Sequence, residues 1–446
     1  MSDVSMIVRE RIFEDLRAGR VPTTGLDTFA VGIDDVLREM TRQFDLVRKD
    51  TGGAKFLRGD YGCGKTFVSR LTALQAMDAG FVTSTVVVSP NDTRFHRFDE
   101  VYRKIVANLS TPTCPRGALG DILDRWVGGI EEELIGQGTD VAAPDFDDRV
   151  AARIGEKLDA LTRGKAPEDF VRVLRAWFRL RQAGNFDDAG ALLSWLSGST
   201  HVPVSAMKSA GVKGHITSAV ALNYLRGIVE IIRTAGQEGL VVIIDELETI
   251  LRARRDVRGL TMNGLRQLVD AAPEFPRLLW VFTGTPEFFD SQRGVRGLAP
   301  LDERIRFQQQ GGFASLKQPQ IQLRPFDRQR LIDVALRLRE LFPTQNRARV
   351  EAVLDGPTIG RIVDSVSGGL GGDVGIVPRQ FLREFVGVMD LVDEQPSYDP
   401  RHHYAFRVDP AQLSAEEKGK LEGPPPLPDE DGGSYELVDL SRIAEA

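Results

Sequence analysis

Eight residues, Gly59-Asp-Tyr-Gly-Cys-Gly-Lys-Thr66, follow directly on a short apolar run, Lys55-Phe-Leu-Arg58, and open a helical pattern from Thr66 to Met77. They fit G-x-x-x-x-G-K-[ST] in the context that gives the pattern physical meaning, after a strand and at the start of a helix. Glycines there let successive backbone N–H groups turn inward around a phosphate at the positive end of the helix. The Lys65 ammonium can reach β- and γ-phosphates, and the Thr66 hydroxyl can hold Mg²⁺. The competing reading, an ordinary glycine turn, explains neither the lysine nor the flanking elements. Cys63 needs no redox role, since any small residue serves inside such a loop.

The rest of the chain is organised around that loop. Residues 5–18 carry Met6, Ile7, Ile12, Phe13 and Leu16 at near-helical spacing, which predicts a docking helix, and Ile33 to Val47 repeats the period. Phe81 to Val88 reads as a β-branched strand closed by Pro90. Gly239 to Glu246 and Leu278 to Gly284 are apolar runs too uniform for edge strands, and Ile321 to Arg324 before Pro325 is a fifth strand. Strand alternating with helix argues for an α/β fold on a central parallel sheet. The alternation lapses from about 98 to 236, which reads as a helical insertion with polar breaks at 111–120, 136–144 and 183–188. The expected organisation is therefore a nucleotide-binding core over 1–325 containing that insertion, a helical lid over 326–395 with a glycine-rich turn at 368–375, and a tail over 396–446. The tail's Glu422 to Gly433 run is too polar to bury a core, so a disordered tail is expected.

Two further strand ends supply candidates for chemistry. Asp245, at the carboxyl end of the Ile243-Ile244 strand, is placed to orient metal-bound water, and the adjacent Glu246 to polarise an attacking water. Glu248 is either a third acid or a helix N-terminal charge. A hydroxyl from Thr283 or Thr285, ending the Leu279-Trp-Val-Phe282 strand, can orient the same water or simply cap the strand. Arg304 and Arg306 close the next helix, where either can reach a neighbouring subunit's γ-phosphate in a ring or lie on a solvated face. Arg379, after Pro378, begins a lid helix and either folds back over the phosphates or forms a surface ion pair.

Composition narrows the class. With 57 Lys and Arg against 64 Asp and Glu, the 446-residue chain carries a net charge of -7 and cannot coat nucleic acid as a polycation, so any DNA contact is local. Two cysteines, Cys63 and Cys114, exclude a disulfide framework and a cysteine-based zinc site and fit a reducing compartment. Acidic residues interrupt the N-terminal segment, and no apolar stretch approaches the roughly 20 residues a membrane span needs. A cytoplasmic protein without a membrane partner is expected.

This order of phosphate loop, Asp-Glu strand, Thr-ended strand, helix-end arginine and Pro-Arg in a helical lid resembles an AAA+ ATPase over residues 25–395, apart from the insertion. More narrowly, Gly25 to Gly32, Phe56 to Phe67, Leu192-Leu-Ser-Trp-Leu-Ser-Gly198 and Gly239 to Glu248 resemble the BREX-type ATP-binding family. The resemblance implies ATP and Mg²⁺ as cofactors, with Gly59, Tyr61, Gly62, Cys63, Gly64, Lys65, Thr66 and Phe67 wrapped around the nucleotide. Val31 and Gly32 fall where AAA+ proteins contact adenine. It further implies a homo-oligomer in bacterial antiphage defence, commonly encoded beside a helicase and associated with DNA.

Two functions compete at this point. One is an oligomeric ATPase that couples hydrolysis to remodelling DNA or a DNA-bound partner. The other is a nucleotide-gated scaffold or signalling switch with slow turnover, which suits the acidic balance and the lack of a DNA-reading motif. Arg252-Ala-Arg-Arg-Asp-Val-Arg258 is the best local basic cluster, either a DNA contact or a solvated or inter-subunit face. An origin-recognition or clamp-loading factor is the weaker alternative, since a tail and not a winged helix is read after the lid.

Overall fold

A computed structural model describes residues 4–89, 93–163, 166–370 and 377–409. The chain begins with α1 (Met6–Arg17) and α2 (Asp34–Val47), followed by β1 (Gly53–Arg58), α3 (Lys65–Asp78) and β2 (Val82–Val87). After α4 (Phe98–Ala107) and β3 (Leu109–Ser110) come five helices, α5 (Leu119–Gly136), α6 (Phe146–Arg163), α7 (Glu168–Gln182), α8 (Phe186–Leu196) and α9 (Val204–Ala210). Then α10 (Ser218–Thr234) leads into β4 (Leu240–Asp245), α11 (Arg255–Ala271), β5 (Leu278–Gly284), α12 (Pro286–Asp290), α13 (Ala299–Ile305) and β6 (Gln320–Gln322). Last come α14 (Arg328–Leu341), α15 (Arg347–Val353), α16 (Gly356–Gly369), α17 (Val377–Glu394) and the short α18 (Pro400–His403).

The strands form one sheet in the order β3-β2-β4-β5-β1-β6. Every pairing is parallel except β2 with β3. Every residue of β4 and β5 is buried, which is why both read as continuous apolar runs. β5 lies between β1 and β4, with Leu57 opposite Thr283 and Ile244 opposite Phe282. The two-residue period of a strand then sorts the side chains. Phe56, Trp280 and Phe282 pack with α4, α5 and α10 on one face, whereas Leu57, Ile243 and Val281 pack with α2, α3 and the lid helices on the other. Phe282 stacks on Phe56 at 4.8 Å, and truncating it to alanine should cost about 3–5 kcal/mol. By the same period Asp245 and Thr283 share the face of α3, while Arg58 points to the opposite one.

Three observations differ from the sequence reading. The segment read as wholly helical holds β3, an edge strand that exists because β2 offers it a partner, Ser84 opposite Leu109. Within the same segment α4 and α10 pack against each other beside the sheet, with Ser84 Oγ donating to Ile105 O at 2.8 Å. Residues 396–409, read as disordered tail, instead pack on the lid through Tyr398, Tyr404, Phe406 and Val408, because their apolar side chains find a place beside α16. The remainder of the expected tail, 410–446, most of the glycine-rich turn and Pro90 lie outside the described residues. The docking helix α1 sits on α17, where Arg17 grips Asp390 at 2.7 and 2.8 Å.

Candidate functional site

Ending β1 at Arg58 leaves the chain to turn through Gly59–Gly64 before α3. Gly62 and Gly64 adopt φ of 78° and 90°, a region costly for any residue with a Cβ, which is why glycine stands at both. Gly59 is required for space: a Cβ there would meet Cys63 Sγ at 2.4 Å. Burial pushes the Cys63 thiol pKa up, so it is a packed small side chain and not a reactive thiolate. The Lys65 ammonium donates to Gly59 O at 2.9 Å and Asp60 O at 3.3 Å, lies 3.6 Å from Glu248 Oε1, and sits 5.0 Å over the Tyr61 ring.

Four further groups converge beside it. Thr66 Oγ1 donates to Asp245 Oδ2 at 3.1 Å, and Thr283 Oγ1 donates to Asp245 Oδ1. The Glu246 N–H is shared between Asp245 Oδ1 and Thr283 Oγ1, each at 3.1 Å. Glu246 itself turns into the left-handed region at φ 65°, ψ 47°, leaving the strand and entering the cleft wall. Of the two threonines offered by the sequence, Thr283 makes these contacts; the Thr285 hydroxyl is buried without a hydrogen-bond partner.

A cleft of about 290 Å³ extends from the loop toward the lid. Residues 61–66, Asp245, Glu246 and Glu248 line it around the loop, and Phe29, Val31, Phe67, Phe326, Val334 and Leu382 give it an apolar wall. Gly32 is not part of the wall; it abuts Arg330, whose Nε a Cβ there would approach to 3.3 Å. Such a surface suits a planar base at one end and phosphates at the other. The donor set also suits Mg²⁺, since Thr66 and Asp245 offer hard oxygens at the phosphate end. Among the described residues, no group of three or more His, Cys, Asp or Glu side chains forms a protein-only metal cage.

Arg379 lines the cleft from α17, its Nε donating to Gly19 O at 2.8 Å. Sequence reasoning missed Arg330. From the first turn of α14 it donates to Val31 O at 2.9 Å, lies 4.1 Å over the Phe326 ring, and has its guanidinium pKa lowered by burial. The Asp327 cap that starts the helix was the one local signal. Arg304 and Arg306 stand apart from the cleft: Arg304 pairs with Asp270 and donates to Pro300 O at 2.5 Å, while Arg306 Nε holds Asp302 at 2.9 Å. In the basic cluster Arg258 is buried, donating to Ala253 O at 3.2 Å, and Arg254 pairs with Asp256.

A phosphate loop on β1, an acid pair ending β4, a strand between them that carries a hydroxyl to both acids, and a helical lid over the cleft define an AAA+ nucleotide-binding protein. Within that class, this chain belongs to the family of BREX system ATP-binding proteins BrxC/D, whose family model matches residues 4–408. No curated protein matches the sequence. Among solved structures it is similar to the Aeropyrum pernix ORC2 protein in ADPNP-ADP complexes, at 12% identity and a TM-score of 0.38, covering 81% of this chain and 62% of that one. It is also similar to Drosophila ORC bound to DNA, at 13% identity and a TM-score of 0.34, covering 88% of this chain and 63% of that one. The chain thus spans less than two thirds of the length of either.

Proposed function

We propose that this ATP-binding protein is a cytoplasmic, Mg²⁺-dependent ATPase that works as a homo-oligomer and uses turnover to remodel DNA, or a partner on DNA such as a helicase, in BREX-type phage defence. The observation that carries the hydrolytic part is the convergence of Thr66, Asp245, Thr283 and Glu246 beside Lys65. Lys65 leaves the Gly59 and Asp60 carbonyls to bind β- and γ-phosphate oxygens. Thr66 and Asp245 would hold the metal, which when bound would supply positive charge to the phosphoryl group in transfer. Glu246 takes a proton from the attacking water, and Thr283 fixes the geometry of both acids. Phe29, Val31, Phe67 and Phe326 enclose the base, while Arg330 and Arg379 join the lid to the loops around it. Arg304 or Arg306 serves the nucleotide of a neighbouring copy.

A specific observation favours the second reading, a nucleotide-gated scaffold with slow turnover: both candidate fingers are paired within their own chain, Arg304 with Asp270 and Arg306 with Asp302. ATP hydrolysis by the purified chain, with and without duplex DNA and with mass followed by light scattering, separates the two. Turnover that rises with assembly supports the ATPase. Tight ATP binding without turnover in any assembly state supports the scaffold.

A further inference from the structure

On the face of β1 turned away from α3, the residue just before the phosphate loop is a buried cation that the nucleotide cleft does not use. Arg58 is 5% exposed. Its Nη1 donates to Asp290 Oδ1 at 3.2 Å and to Gln320 Oε1 at 3.1 Å, and its Nη2 to Asp290 Oδ2 at 2.5 Å. The guanidinium lies 4.7 Å over the Phe307 ring and 5.8 Å from that of Phe289. Gln320 in turn donates through Nε2 to Ile305 O at 2.6 Å.

These contacts join the end of β1 to two helix ends that lie 232 or more residues further along the chain. Asp290 ends α12, which follows the Thr283 strand. Ile305 ends α13, whose last turn holds Arg304 and is followed by Arg306 and Phe307. Arg58 is covalently next to Gly59, whose N–H donates to Gly284 O at 3.1 Å and whose carbonyl accepts Lys65 at 2.9 Å. Stability alone does not call for this arrangement, since the Asp290 side chain is 42% exposed and an ion pair with one partner so open to solvent contributes little. It is also incompletely satisfied: Arg58 Nε is buried with no hydrogen-bond partner, so the guanidinium has a donor to spare for a second arrangement.

We propose that Arg58 is a positioning residue that couples the phosphate loop to the arginine-bearing end of α13, so that nucleotide occupancy sets how Arg304 and Arg306 are presented. This rests on the ATPase reading for its purpose, though not for its measurement. When Lys65 turns to a phosphate, Gly59 O loses its partner. The adjustment passes through one peptide to Arg58, and from its guanidinium to Asp290 and, by way of Gln320, to Ile305. A second arrangement of this network with nucleotide bound is what would distinguish coupling from mere proximity.

The test uses the full chain and reads hydrogen exchange in peptides covering Ala299–Phe307, with and without Mg·ATP, in wild type, Arg58→Lys and Asp290→Asn. Lysine keeps the charge but cannot span Asp290 and Gln320 together. In wild type, ATP should change exchange in this segment by about threefold or more. In both variants that response should vanish while ATP affinity stays within about threefold of wild type. In steady state, kcat should fall by about tenfold or more with KM held. The proposal is overturned by an unchanged exchange response in both variants, by no response in wild type, or by an affinity loss as large as that of Lys65→Ala. Loss of cooperative thermal unfolding in both variants also overturns it, making the network a structural staple. If wild type binds ATP without hydrolysing it, the ATPase reading fails, yet the exchange response still decides the coupling.

Discussion

The Thr283 hydroxyl accepts the Glu246 N–H at 3.1 Å and donates to the Asp245 carboxylate, so one buried side chain on β5 fixes both acids at the end of β4. Glu246 needs that support. Its φ of 65° is unusual for a residue with a Cβ and costs on the order of 1–2 kcal/mol. The bend is what carries its side chain off the strand direction and into the cleft wall.

Replacing Thr283 by valine keeps the shape of the side chain and removes both hydrogen bonds. We expect Thr283→Val to bind ATP within about threefold of wild type while losing about 10- to 100-fold in hydrolysis, since a group acting on geometry affects the chemical step more than ground-state binding. Thr283→Ser should restore most of the rate. Isothermal titration and a steady-state ATPase assay decide it: equal rates in the valine and wild-type proteins would remove Thr283 from the mechanism.

How much of this was readable beforehand follows from where each signal resides. Gly59 to Thr66 and the apolar runs ending at Asp245 and Gly284 carry their information locally, in residue type and spacing. The choice between Thr283 and Thr285 does not: residues two apart share a strand face, and the tertiary register, Thr283 opposite Leu57, puts the first of them beside Asp245. Arg330 looks like any arginine in a capped first turn, and its reach to Val31 is set by how the lid docks. β3 is two residues long, too short for a period, and is made by its pairing with β2. Glu39 falls within the helix expected over Ile33 to Val47 and Lys55 starts the expected strand, and nothing in either pattern shows that they meet at 3.0 Å with side chains only about 5% exposed.

Lys65 and Glu246 should separate binding from cleavage. Lys65→Ala removes the ammonium that sits in the phosphate loop and should weaken ATP binding by about 100-fold or more, several charge-assisted hydrogen bonds being lost together. Glu246→Gln keeps shape and hydrogen bonding but not basicity, so ATP should bind normally and remain uncleaved. Equilibrium binding with a fluorescent nucleotide, followed by product analysis, tests both. Undiminished turnover in Glu246→Gln would shift the base to Glu248, which also lines the cleft.

The Glu39–Lys55 pair predicts a particular acid limb. Burial pushes the Glu39 carboxyl up, but hydrogen bonds from Arg42, Lys55 and Gln43 outweigh it and lower its pKa from 4.5 to about 2. A folded-state value below the unfolded one contributes stability that is complete above about pH 4.5 and is lost as pH falls toward 2. Glu39→Gln should therefore be less stable than wild type at pH 7, and the gap should narrow as the pH drops through that window. Urea unfolding at pH 7, 5 and 3 measures it. Parallel pH dependences for the two proteins would show that Glu39 is not held down in the fold. Lys55 stays anchored in the variant by the carbonyls of residues 316, 317 and 318, at 2.8 to 3.1 Å, so loss of the fold is not expected.

The last prediction concerns a site shared between copies. Arg304 is 40% exposed and engaged with Asp270 of its own chain, and Arg306 is 60% exposed and engaged with Asp302. An exposed pair such as Arg304–Asp270 is worth no more than about 1 kcal/mol, so Arg304 can be drawn away to a neighbour's γ-phosphate at little cost, whereas Arg306 would leave the buried Asp302 without its partner. ATPase activity should then rise with protein concentration. Arg304→Ala or Arg306→Ala, whichever removes the finger, should leave ATP binding nearly intact and reduce hydrolysis by about 10³-fold or more. Mixing that variant with Glu246→Gln protein is the sharper measurement. Each is inactive alone, but a mixed interface pairs the intact arginine of one chain with the intact glutamate of the other. Partial recovery of turnover on mixing establishes the shared site. A strictly monomeric protein that hydrolyses ATP at full rate would return both arginines to the ion pairs they make in the isolated chain, leaving Lys65 at the phosphates with Arg330 and Arg379 on the lid side of the cleft.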